Sequence, residues 1–195
     1  MTKVFAKEKV LLAAQELMMA NGYSSTSVDD IVKKAGVAKG SFYHAFDSKE
    51  ELALTSLEDY ERSGWEIISN GAYAKETDPV KRLRLFLDFM VEKCPEFWEH
   101  GCLVGSVAIE VYNSYPKLIK RIDQLFDEFE NNVADIFEPA FEELGITSVT
   151  PKEISVHFLA VIEGSIITAR SHRDNRFLRD GMKHFKRYVE CLLES

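Results

Sequence analysis

Cysteine is scarce in this chain and forms no pattern. Cys94, Cys102 and Cys191 are odd in number and show no CxxC or other metal-ligand spacing, which argues against a disulfide framework and for reduced thiols. The five histidines are scattered, with no HExxH-type pair, so no metal is expected, and no motif calls for a cofactor. A phosphate-cradling glycine loop and a nucleophile–base pair are equally missing, and with them the usual grounds for expecting an enzyme. The opening MTKVFAKEK lacks the apolar segment of a signal peptide, and no run approaches the roughly 18 apolar residues of a membrane span. The expected location is the cytoplasm, with no membrane partner. Proline and glycine are few, five and ten in 195 residues, and neither marks a linker, a repeat or a low-complexity segment.

What the chain does hold is apolar and acidic. A hydrophobic content of 46% suffices for one large or two small cores in a compact, mostly helical protein. A formal charge of −8 would by itself disfavour a nucleic-acid partner, but it is unevenly spread. Residues 1–49 carry seven lysines against five carboxylates, a balance of +2, so the remaining residues carry −10. Such asymmetry suits a small DNA-contacting unit borne by an acidic body.

The stretch TSVDDIVKKAGVAKGSFYHAFDSKEE, Thr26–Glu51, predicts two short helices meeting at a glycine turn. Thr26 and Ser27 can cap a helix whose Val28, Ile31, Val32 and Ala35 share one apolar face. Gly36 ends it and Val37 can fill the angle to a second helix, expected over 38–45. On that second helix Phe42 and the following Phe46 face inward, whereas Lys39, Gly40, Ser41, Tyr43 and His44 remain free to meet a ligand. Ser48 and Glu51 predict a capping box that presents Lys49 at the start of a fourth helix, a place that suits a phosphate. Ahead of these, Val10, Ala13, Ala14, Leu17 and Met18 mark a first helix ending at Asn21-Gly22.

Beyond the fourth helix, expected from Ser48 to about Asn70 with Leu52, Leu57, Tyr60 and Ile67 as core candidates, helix signals recur to the end of the chain. Asp78-Pro79 opens a helix that Cys94-Pro95 should interrupt. A short helix follows from Leu103, and Pro116 opens a long one that Gly145 closes. Thr150-Pro151-Lys152-Glu153 combines an N-cap, an N1 proline and an N3 carboxylate. The helix it opens is apolar nearly all round and needs a second partner. A last helix over 175–193 joins it to form what a symmetric four-helix homodimer interface would use.

These residues together closely resemble the TetR/AcrR family of one-component transcriptional repressors, over roughly residues 5–52. The motifs are AAQELMMANGY, TSVDDIVKKAGVAKGSFYHAF and SKEEL. The resemblance implies an all-α fold of about nine helices, with an N-terminal three-helix helix-turn-helix DNA-binding domain over 1–48 and a helical ligand-binding and dimerisation domain over 49–195. It implies a homodimer that binds a palindromic double-stranded DNA operator and is released by a small-molecule inducer. Carried over by position, Lys39, Gly40 and Ser41 are expected at base edges and Tyr43 and His44 at phosphates. Thr26 and Lys49 clamp the backbone from either side, with Ser27 beside Thr26 in the same set. Core packing is the alternative for Tyr43.

The segment GCLVGSVAIEVYNSYPKL is similar to the branch of the family that includes acrylate-responsive and electrophile-responsive repressors. That similarity makes Cys102 either a reactive thiol at a helix start or a packed small hydrophobe. Trp65, Phe89, Trp98 and Phe129 are candidates for the wall of an inducer pocket. Glu110 and Glu163 are carboxylates within apolar helical stretches, where each can meet a polar ligand group, bond to another helix, or stand exposed. Two further readings are an adaptor that kept the fold without DNA binding and, on less ground, an enzyme.

Overall fold

The computed structural model describes residues 2–194, and those residues form nine α-helices, one 3-10 turn and no strand. The helices are α1 (Thr2–Asn21), α2 (Val28–Ala35), α3 (Lys39–Tyr43), α4 (Lys49–Ser69), α5 (Pro79–Phe97), α6 (Leu103–Val111), α7 (Pro116–Leu144), α8 (Pro151–His172) and α9 (Arg176–Leu193), with the 3-10 turn at Ala72–Lys75.

Most helix ends follow from local chemistry. Ser27 caps α2 in a full capping box with Asp30, and Gly36, at φ 65°, closes it. Asp78 accepts from the Lys81 N–H ahead of Pro79, and Thr150 and Glu153 form the box expected at the start of α8. Gly145, at φ 67°, ends α7 with the Ile146 N–H reaching the Phe141 carbonyl, a left-handed C-terminal turn.

Four expectations change. The second helix of the turn motif is shorter than 38–45, spanning five residues. Pro95 does not interrupt α5, which runs on to Phe97 while the Trp98 N–H bonds the Cys94 carbonyl. A proline in the last turn removes a single donor and can be carried there. Ile67 is 58% exposed and its neighbour Ile68 takes the core position. At the start of α4, Ser48 accepts from the Glu51 N–H as expected, but the Glu51 carboxylate bonds the Asp47 N–H rather than closing on Ser48.

The chain falls into two compact units, one drawn from Met1–Ser63 and Cys102–Leu125, the other from Gly64–Gly101 and Phe126–Ser195. The boundary expected at 48/49 falls at the start of α4, whereas the first compact unit continues to Ser63 and also takes in α6. Its core buries Val10, Ala14 and Met18 of α1, Ile31 of α2, Phe42 of α3, Leu52 and Leu57 of α4, and Leu103 and Val107 of α6. Helix α1 packs against α2, α3 and α6.

The second unit packs α9 against both α5 and α8. At its centre Phe86 meets Tyr73, Phe137 and Phe158 at ring separations of 5.1, 6.3 and 5.8 Å. Helix α8 is, among the described residues, the one helix long and apolar enough to cross a membrane, with a third of its most apolar window buried. That corrects the expectation that no segment reaches this length, although a core helix passes the same test.

Candidate nucleic-acid interface

Helix α3 is anchored from below by Phe42, which is fully buried and meets Tyr43 edge-on at 5.0 Å and Phe46 at 5.9 Å. With Phe42 inward, the 3.6-residue period turns its neighbours outward. Lys39, Gly40, Tyr43 and His44 are exposed and Ser41 is half-buried. Tyr43 is 54% exposed, so core packing is not its role. Nothing lies within 4 Å of where a Cβ on Gly40 would stand, which leaves the backbone open to close approach.

The cations of this face already hold carboxylate partners. Lys39 Nζ lies 2.6 Å from Asp29 and Lys34 Nζ 2.7 Å from Glu16. The hydrogen bond and charge of Asp29 raise the Lys39 pKa. Exposed ion pairs contribute little in water, so a polar ligand group can displace Asp29 from Lys39 at small cost.

Thr26 and Lys49 do not face outward as expected. Thr26 is 1% exposed and its hydroxyl donates to the Gly22 carbonyl. The half-buried Lys49 amino group donates to the carbonyls of Tyr23 and Thr26 at 2.9 and 3.0 Å and sits 4.2 Å over the Tyr23 ring. Burial lowers the Lys49 pKa, partly offset by the nearby Glu110 carboxylate. Burial also pushes the Tyr23 phenol up to about 12, reinforced by Tyr115 and Glu50. Both presumed phosphate clamps are therefore internal braces of the α1–α2 turn. Ser27 is the N-cap of α2, its hydroxyl accepting from the Asp30 N–H at 3.1 Å. Replacing Ser27 by Ala should cost about 1 kcal/mol, read as a lowered midpoint in chemical denaturation with an unchanged slope.

The expected ligand residues do not form one group. Trp65 meets Phe129 edge-on at 6.1 Å, and Phe129 stacks on Phe158 at 6.2 Å. Phe89 and Trp98 both meet Phe97, at 5.8 and 5.9 Å, and Phe89 reaches the same aromatic cluster through Tyr73 at 5.6 Å. All of these belong to the second compact unit, as does the half-buried Glu163 of α8. Cys102 and Glu110 belong to the first. Cys102 is buried and caps α6, its Sγ accepting from the Gly105 N–H at 3.4 Å. Glu110 is not a pocket residue: its two oxygens accept from the Tyr23 and Ser24 N–H groups. Cys94 is buried, which pushes its thiol up to about 12 and leaves it unreactive.

Residues 10–55 match the family model for bacterial regulatory proteins of the tetR family, and residues 79–184, more than half of the chain, match that for the LmrA/YxaF-like transcriptional regulator C-terminal domain. The chain is a TetR-family transcriptional regulator. Among relatives of this TetR-family chain, the HTH-type transcriptional regulator QacR of Staphylococcus aureus is 30% identical over 70% of this chain and 69% of its own length. The transcriptional regulator AcuR of Cereibacter sphaeroides is 29% identical over 85% and 76%. A crystal structure of a regulatory protein TetR from Rhodobacter sphaeroides superposes with a TM-score of 0.80 at 27% identity, covering 93% of this chain and 97% of the other. These matches make the chain a DNA-binding regulator, and the exposed face of α3 lies within the residues that match the tetR family model. Asp29 and Glu110 were not singled out for these contacts from sequence, because their partners are fixed only by the folded geometry.

Proposed function

We propose that the chain is a homodimeric repressor whose two helix-turn-helix units read the halves of a palindromic operator in successive major grooves, and which a small molecule releases. The observation that carries this reading is the face of α3, where Lys39, Gly40, Ser41, Tyr43 and His44 stand outward over a fully buried Phe42. Lys39, Gly40 and Ser41 read base edges, and Tyr43 and His44 hold phosphates. Residues 1–48 carry the DNA contacts; 49–195 carry dimerisation and sensing, in the cytoplasm.

The dimer forms through α8 and α9. Val156, Ile167, Phe177 and Tyr188 are large apolar groups left exposed on these two helices, and Phe177 and Tyr188 line a groove together with Ala160, Gly164 and Gly181. Small residues there let a partner's helices come close. The inducer lies against the Trp65, Phe129 and Phe158 aromatic set, with Glu163 on the same helix as Phe158. Cys102 answers to an electrophile if its Sγ is the sensing atom. Cys102→Ser should then keep operator binding and lose release by N-ethylmaleimide.

A mobility-shift titration against the DNA upstream of the chain's own coding sequence tests the reading. Binding should be at least about a thousandfold tighter than to a scrambled duplex, and log affinity should fall linearly with log salt. Tyr43→Ala should weaken binding evenly across operator variants; a changed base preference would contradict its phosphate role. Failure to bind specifically at low salt would sink the proposal.

A further inference from the structure

The turn between α1 and α2 is held from both sides by groups of opposite charge. Glu110, at the end of α6, accepts the Tyr23 N–H with Oε1 at 3.0 Å and the Ser24 N–H with Oε2 at 2.9 Å. Lys49, at the start of α4, takes the carbonyls of Tyr23 and Thr26. Tyr115, just beyond α6, packs edge-on against the Tyr23 ring at 5.1 Å. Successive N–H groups at a turn form a small anion cradle, and a carboxylate that places one oxygen on each fixes orientation as well as distance.

Gly22 makes the geometry possible. Its φ is +87°, and a Cβ at this position would stand 2.3 Å from Glu110 Oε1. The residue that lets the chain turn is thus the one that admits the carboxylate. Five residues later Ser27 caps α2 and the helix-turn-helix begins. Glu110 thus adds to the α1–α6 packing a directional hold on the turn that leads into that motif.

We propose that Glu110 is a positioning residue that sets how strictly the regulator discriminates operator half-site spacing, without touching DNA. This rests on the dimeric reading above. Inserting one base pair between half-sites moves the second by about 3.4 Å and turns it by about 35°. A helix-turn-helix clasped to α6 cannot follow that displacement, whereas an unclasped one can swing to meet it. Loss of the clasp then relaxes the choice between spacings rather than the choice of bases.

The test uses the full chain and duplexes made from the sequence it protects in its own upstream region, with zero, one or two base pairs inserted at the dyad. The affinity ratio between native and expanded spacing should fall on the order of fivefold or more in Glu110→Ala. It should fall less in Glu110→Gln, whose single carbonyl oxygen keeps one of the two bonds and which carries the test should the alanine variant fold poorly. Amide exchange at Tyr23 and Ser24 should quicken in both. A merely structural role lowers binding to every spacing alike and leaves the ratio unmoved; an unmoved ratio with quickened exchange, or exchange unchanged in both variants, overturns the proposal. If the unaltered chain protects no specific sequence, the dimeric reading falls, and this inference with it.

Discussion

Gly164→Glu should turn the protein into a folded monomer that binds its operator about 10²- to 10⁴-fold more weakly, the gain that linking two binding modules ordinarily supplies. Gly164 lies on the open groove of α8 and α9, and no atom stands within 4 Å of where its Cβ would be. Within one chain there is room for a side chain; in the proposed interface a partner's helices would occupy that space. Glutamate is also the better helix former by up to about 1 kcal/mol, so the isolated chain should not be destabilised. Loss of the dimer then cannot be ascribed to unfolding. Analytical ultracentrifugation at micromolar concentration reads the mass, and circular dichroism the helicity. A stable Gly164→Glu dimer would place the interface elsewhere.

Phe42→Ala should abolish operator binding and leave the dimer intact. Phe42 is fully buried and holds α3 through Tyr43 and Phe46. Truncating such a phenylalanine costs about 3–5 kcal/mol, a large share of what a small helical unit with a limited core possesses. The expected result is loss of amide protection across α2 and α3. Helices α8 and α9 lie in the other compact unit, and their protection and the sedimentation of the dimer should persist. Retained operator affinity would mean that the reading face does not depend on this anchor.

The contrast between legible and illegible features follows the range of the forces involved. Ser27, Gly36, Asp78-Pro79, Gly145 and the Thr150–Glu153 box act on backbone groups a few residues away, and a local rule suffices to place them. Phe42 inward and Tyr43 outward likewise follow from helical period. The end of α8 escapes such rules, because Arg173 takes the left-handed conformation at φ 54° where glycine or asparagine would be expected. Ile67 and Ile68 are indistinguishable by type, and only packing selects the second.

The candidate site divides in the same way. The outward set on α3 was visible from spacing. Thr26, Lys49 and Glu110 were assigned to ligands because a threonine at a helix start, a lysine at another and a carboxylate in an apolar helix are each suggestive alone. Folding brings the three to one turn, across sequence separations of 23 to 87 residues, and there they satisfy the backbone and one another. Buried Thr26 and half-buried Lys49 must find a partner away from water, and the exposed Glu110 meets two backbone N–H groups; for all three the partner is the protein itself.

In the proposed dimer two reading helices act on one duplex. Hydroxyl-radical footprinting of the full chain on its upstream DNA tests it most directly. Two protected segments related by a dyad and centred about one helical turn, or a multiple of it, apart are expected; a single protected segment, or even protection along the whole duplex, would contradict the dimeric reading.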